Sequence, residues 1–167
     1  MTEAAHIILD HTEISHKIKR IAYQIYESNA TETEIVLAGI ADRGYEFALL
    51  LTETLKNISP LEVTICKVFV DKKTPLNEVK TSISASDYEN KSVILIDDVL
   101  NSGATLIYGV KHFLNVPLKQ FKTAVLVNRN HKKYPVKADF KGISLSTSLN
   151  EHVKVDFTPN QFKVFLL

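Results

Sequence analysis

Two adjacent carboxylates, Asp97 and Asp98, stand at the end of an apolar run, and Ser102, Gly103 and Thr105 follow within the segment VILIDDVLNSGATL, Val93 to Leu106. Each part has a chemical use. Gly103 permits a tight turn whose successive amides face inward, and Ser102 and Thr105 add hydroxyl donors where a helix begins, which makes a nest for a phosphate dianion. The carboxylates can accept hydrogen bonds from vicinal ribose hydroxyls. A single Asp after a strand commonly caps the next turn. Two in succession carry desolvation and mutual repulsion unless a ligand or cation uses them. The combination therefore reads as a sugar phosphate site.

A second candidate is GIADRGYEFA, Gly39 to Ala48, where Arg43 and Gly44 follow another apolar run. Taken alone it is an ordinary strand-to-helix turn with a solvated arginine. Arg20, Arg43 and Arg129 are the only arginines, so bidentate phosphate and guanine contacts are few. Cys66 is the only cysteine, which excludes an intramolecular disulfide and a cysteine-cluster zinc site; its setting in VTICKVF marks it as core.

The elements that must hold these residues are legible as an alternation. Asp10 with Glu13 gives a capping box, and Ile14, Ile18, Ile21, Ala22 and Ile25 follow at helical spacing, so the chain opens with an amphipathic helix ending near Ser28. EIVLAGI (Glu34 to Ile40), LEVTICKVFV (Leu61 to Val70), SVILI (Ser92 to Ile96) and TAVLV (Thr123 to Val127) are buried-strand runs, with helices over Tyr45 to Lys56 and from the glycine loop to about Phe113. Apolar strands alternating with helices predict an α/β fold with a mainly parallel central sheet, whose ligands bind beyond the carboxyl ends of the strands. Between Val70 and Ser92 the chain is polar and aperiodic: either a mobile flap or a solvated hairpin, with its length favouring the flap. HVKVDF and KVFLL near the end alternate as short strands, a small β cap appended to the main sheet.

The chain of 167 residues reads as one domain, residues 1–167. Lys plus Arg number 20 against 19 Asp plus Glu, so no global field recruits nucleic acid and any anion site is local. No stretch approaches the roughly 20 apolar residues of a membrane helix, and no signal peptide is evident. The expected compartment is the cytoplasm.

VILIDDVLNSGAT resembles the phosphoribosyl pyrophosphate (PRPP) signature of type I phosphoribosyltransferases, and Arg43-Gly44 resembles their pyrophosphate loop. IILDHTEISHKIKRIAYQIYESN and AVLVNRNHKKYPVKADFKGISLSTSLNEHVKV resemble the two ends of the bifunctional pyrimidine operon regulators, the PyrR family. The resemblance implies a transferase that takes PRPP with Mg2+ held through it, joins the phosphoribosyl group to a pyrimidine, uracil, to give UMP, and forms a dimer. It assigns the ribose to Asp97 and Asp98, with Arg43 as the third catalytic residue beside the pyrophosphate. Ligand binding falls to Asp42, Arg43 and Gly44 and to Val99, Leu100, Asn101, Ser102, Gly103, Ala104 and Thr105, with Arg129 on the pyrophosphate or base side. In the family the pyrophosphate loop's amides are often exposed by a cis peptide. Purine enzymes carry Asp where Asn101 stands, which argues against a purine.

The departures cluster on function. Ala41-Asp42-Arg43-Gly44 replaces Lys-Thr-Arg-Gly, Ala104 replaces an arginine, and the segment after Val70 lacks a Tyr-Arg-Asp-Asp run, leaving Lys72 and Lys73 to supply charge there. Lys19-Arg20-Ile21-Ala22-Tyr23 departs from the regulators' Thr-Arg-x-x-His, and Leu149 stands where they have Lys. These changes speak against RNA binding. They leave as the alternative a catalytically weak nucleotide sensor or RNA-binding regulator of pyrimidine genes.

Overall fold

The computed structural model describes residues 5–148 and 150–167. In chain order the elements are β1 (His6–Leu9), α1 (His11–Ser28), β2 (Glu34–Ile40), α2 (Arg43–Ile58), β3 (Glu62–Phe69), β4 (Lys80–Thr81), α3 (Ala85–Tyr88), β5 (Ser92–Leu100), α4 (Ala104–Phe113), β6 (Gln120–Asn128), β7 (Phe140–Ser144), β8 (Val153–Asp156) and β9 (Lys163–Leu166).

The apolar runs are strands because each is buried on both faces. Along β2, Ile35 and Leu37 join the core beneath α1 and α2, while Val36, Ala38 and Ile40 join the core beneath α4. Alternate residues thus feed two separate cores, as a parallel sheet covered on both sides requires. The main sheet runs in the order β4-β3-β2-β5-β6-β7. All neighbours are parallel except β4, which returns antiparallel to β3. α1 starts on the expected capping box: the Asp10 carboxylate accepts from the Glu13 amide at 2.9 Å, and Ile14, Ile18, Ile21, Ala22 and Ile25 are its buried stripe. Cys66 is fully buried in β3.

Three expectations are refined. β5 continues past Ile96 through the acidic pair to Leu100, because β6 extends far enough to pair with it: Asp97 lies opposite Val125 and Leu100 opposite Asn128. The polar segment after Val70 folds as a hairpin tip. The Asp71 carboxylate accepts from the amides of Lys73 and Thr74 and from the Asn77 side chain, three bonds that push its pKa down, and β4 closes on β3 behind it. The terminal strands do not extend the main sheet. β8 and β9 join β1 in a separate antiparallel sheet, order β1-β9-β8, whose Leu9, Val155 and Val164 are buried in the α1–α2 core.

The chain winds outward from β2 to β3, then from β5 the other way to β6 and β7. The order reverses between β2 and β5. At that switch point the loops leaving the two strands diverge to opposite faces and open a crevice.

Candidate active site

The two sequence candidates leave the carboxyl ends of adjacent strands, since Gly39 of β2 is in register with Ile96 of β5. Gly44, in the first turn of α2, lies against the end of β5; a Cβ there would sit 2.8 Å from the Ile96 carbonyl oxygen and 3.0 Å from Asp97 Oδ1. Only glycine allows the helix to approach the acidic pair so closely. The peptide bond between Ala41 and Asp42 is cis.

A cavity of about 190 Å³ opens at this end of the sheet. Asp97, Asp98, Val99, Leu100, Asn101, Ser102, Gly103 and Thr105 line it, joined by Lys72 from the hairpin tip, Leu106 and Val125 from the scaffold, and Val153 from the small sheet. Most of the phosphate-type segment is therefore gathered on one wall. Gly103 caps α4 with φ +88°, and a Cβ there would come within 2.6 Å of Val136 Cγ1. Conformation and space both require glycine. The Ser102 hydroxyl accepts from the Ala104 amide at 3.2 Å and keeps its own proton to donate. The loop is held from behind: Ser102 O accepts the amides of Lys133 and Tyr134 at 2.7 and 3.2 Å.

The pair itself is asymmetric. Asp97 is 5 % exposed and accepts the Asp98 amide at 2.9 Å. Burial, and next the neighbouring Asp98 charge, push its pKa well above the usual carboxylate range, with Lys72 opposing them. Asp98 is half-buried. The carboxylates are thus held together, at an electrostatic cost, beside a loop built to take an anion. Such an arrangement can accept hydrogen bonds from vicinal hydroxyls on one side and donate them to an anion on the other.

Asp42, Arg43, Gly44, Ala104 and Arg129 lie outside the cavity lining. Asp42 and Arg43 are exposed at the start of α2, and Arg43 donates to Glu46 Oε2 at 2.8 Å, an ion pair with nearly half of each side chain in solvent. Arg129 is buried, 6 % exposed. Its guanidinium bonds to Asn101 Oδ1 (3.0 Å), Thr147 Oγ1 (2.9 and 3.1 Å), Ser148 O (3.3 Å) and Glu151 O (2.6 Å). Arg20 donates to the Lys141 and Gly142 carbonyls of edge strand β7 at 3.0 and 2.8 Å, which engages the cation expected on an exposed helix face. Leu149 lies outside the described residues. Val153 was not singled out by sequence, since a valine in an alternating strand carries no signal of a cavity wall.

These features define a type I phosphoribosyltransferase fold. The phosphoribosyl transferase domain model matches residues 4–161, and the chain belongs to that family. Within it the chain is a relative of the PyrR proteins. It is 34 % identical over 154 residues to Bifunctional protein PyrR of Streptococcus mutans, covering 89 % of this chain and 86 % of that protein. It is also 34 % identical over 156 residues to Bifunctional protein PyrR of Streptococcus pneumoniae, covering 90 % and 89 %. Among solved structures, hypoxanthine phosphoribosyltransferase of Trypanosoma cruzi superposes with a TM-score of 0.79 at 19 % identity, covering 98 % of this chain and 97 % of that one. Hypoxanthine-guanine phosphoribosyltransferase of Bacillus anthracis gives 0.71 at 23 % identity, covering 85 % and 83 %. At these identities the likeness is one of fold. No helix among the described residues is long and apolar enough to cross a membrane.

Proposed function

We propose that the protein binds PRPP and transfers its phosphoribosyl group to uracil, giving UMP and pyrophosphate. The observation that carries the reading is the convergence of Asp97 and Asp98 with Asn101, Ser102, Gly103 and Thr105 on one cavity at the switch point. The relatedness to proteins named for PyrR supports a pyrimidine rather than a purine, and so does an amide, not a carboxylate, at Asn101.

In this reading the bond from ribose C1 to the diphosphate oxygen breaks, its electron pair leaves with pyrophosphate, and the uracil ring nitrogen forms the new bond to C1 and releases its proton to solvent. Asp98 and Asp97 hold the ribose hydroxyls and steady the positive charge that develops at C1. Ser102, Thr105 and the first amides of α4 hold the 5′-phosphate. The carboxylate and hydroxyl oxygens of the cavity are the hard donors that Mg2+ takes, and among the described residues no cluster of three or more His, Cys, Asp or Glu converges. Asp98 is the residue that would share the cation with the diphosphate. When bound, Mg2+ supplies charge neutralisation to the leaving group.

A second reading, a nucleotide sensor that retains binding and turns over slowly, is favoured by one observation. Arg43 is paired with Glu46 and Arg129 is directed to neutral acceptors, so Lys72 is the one cation lining the cavity among the described residues. A dimer and a cytoplasmic location accompany both readings. Calorimetric titration of UMP into the wild type and Asp98→Asn tests the shared core. A loss of at least about tenfold in affinity is expected from removing a charged acceptor, and equal affinities would show that the pair is structural.

A further inference from the structure

The buried guanidinium of Arg129 has five hydrogen bonds, all to neutral oxygens, and it makes no ion pair among the described residues. One of those oxygens belongs to Asn101, which lines the cavity. A guanidinium only donates, so the atom of Asn101 that faces Arg129 must be the carbonyl oxygen Oδ1. The amide NH2 is thereby turned to the opposite side. Among the described residues Nδ2 of Asn101 has no acceptor. The amide flip that is ordinarily free for an exposed asparagine is fixed here by a buried residue 28 positions away in sequence.

Arg129 is itself held on every donor it uses. Thr147 Oγ1 takes two bonds, and the carbonyls of Ser148 and Glu151 take two more. His131 Nε2 donates to the Thr147 carbonyl at 2.6 Å, which braces the same loop. The Arg129 amide bonds to the Leu100 carbonyl at 3.1 Å, one residue before Asn101. Both ends of the contact are anchored, so the orientation of the Asn101 amide is preset before a ligand arrives.

We infer that Asn101 is a specificity-determining hydrogen-bond donor, and that Arg129 is the positioning residue that aims it. The group it takes is an oxygen acceptor of the ligand, either a carbonyl of the base or an oxygen of the 5′-phosphate. It disfavours any ligand that presents an N–H at that place, because two donors would then face each other and one would remain unpaired. The inference rests on the nucleotide-site reading above.

Three variants and two probes test it, with binding read by calorimetry at a temperature where circular dichroism shows every variant folded. Asn101→Ala should weaken UMP binding about tenfold, the effect of one well-formed bond. Asn101→Asp keeps an oxygen for Arg129 but removes the donor, so it should lose at least as much affinity without losing stability. Arg129→Met should weaken UMP binding in the wild-type background and add almost nothing in the Asn101→Ala background, since its contribution passes through that amide. Ribose 5-phosphate separates the two acceptors: a loss confined to UMP identifies a base carbonyl, and an equal loss with both probes identifies a phosphate oxygen. Unchanged UMP affinity in Asn101→Ala and Asn101→Asp would overturn the inference, as would an Arg129→Met loss that is the same in both backgrounds. Wild-type protein that binds neither probe would instead overturn the nucleotide-site reading, and this inference with it.

Discussion

Gly44 and Asp97 touch across the switch point: the backbone of α2 passes so close to the end of β5 that a methyl group on Gly44 would lie 3.0 Å from Asp97 Oδ1 and 2.9 Å from its Cα. The contact ties the two loops of the site together without any side chain on one partner. Gly44→Ala should therefore destabilise the fold by roughly 1–3 kcal/mol, since two of the atoms it would meet, the Ile96 carbonyl oxygen and Asp97 Cα, are backbone. The displaced Asp97 should also weaken UMP binding in the fraction that remains folded. Thermal melts and calorimetry on this variant check both; an unperturbed melting temperature would mean the approach is looser than described.

Asp97 should make stability depend on pH in an identifiable direction. Burial and the Asp98 charge raise its folded-state pKa above its unfolded value, so its contribution to stability is greatest below the ordinary aspartate pKa and declines as pH rises through the folded value. Asp97→Asn removes that decline while still accepting the Asp98 amide. The variant should melt higher than wild type by a margin that grows as pH rises above the ordinary aspartate range, roughly 2–4 °C for each 1 kcal/mol relieved. Ligand affinity should fall in the same variant. A margin that shrinks with rising pH would contradict the assignment.

Leaving-group stabilisation should be the weak half of the chemistry. Arg43 is paired with Glu46, and alanines stand at positions 41 and 104. Added cations act on charge that develops as pyrophosphate departs, more than on bound UMP, which has no pyrophosphate. Ala41→Lys with Ala104→Arg should raise uracil-dependent pyrophosphate release at least about tenfold while changing UMP affinity by less than about threefold. Paired rate and calorimetric measurements decide it; vigorous wild-type turnover with no gain in the double variant would show that other groups supply the charge.

RNA binding should be weak and salt-dependent. On α1 the arginine is engaged with the β7 edge, leaving lysines that offer point charges rather than bidentate base contacts. Anisotropy titrations with a pyrimidine-operon leader RNA should show affinity falling steeply from about 50 to about 200 mM salt. Tight, sequence-selective binding at physiological salt would refute this.

The segment from Asp97 to Thr105 was legible in the sequence because its chemistry is local: paired carboxylates, hydroxyls and a glycine within one loop need no partner to be recognised. The two-faced cores were legible for the same reason, from the unbroken apolar runs of β2, β5 and β6. What was not legible depends on long-range pairing. β1 is four residues long and is a strand because His6 and Ile7 pair with Leu166 and Phe165 at the far end of the chain. β7 gave no signal because the buried middle position of FKGIS is Gly142, which interrupts the apolar alternation, and its one sheet neighbour is β6. Arg129, expected on the ligand side, faces Asn101 and the Thr147 to Glu151 loop, an environment set by where that loop returns. Lys72 lines the same cavity as the acidic pair because Asp71 folds the hairpin tip, which length and polarity alone did not distinguish from a mobile flap.

The most direct test of a uracil phosphoribosyltransferase site is pyrophosphate release from PRPP with Mg2+ and one base at a time. Uracil should support release, slowly, and hypoxanthine and guanine should support none above the base-free control, with Asp98→Asn abolishing the uracil signal. Release driven by hypoxanthine or guanine but not by uracil would contradict the account.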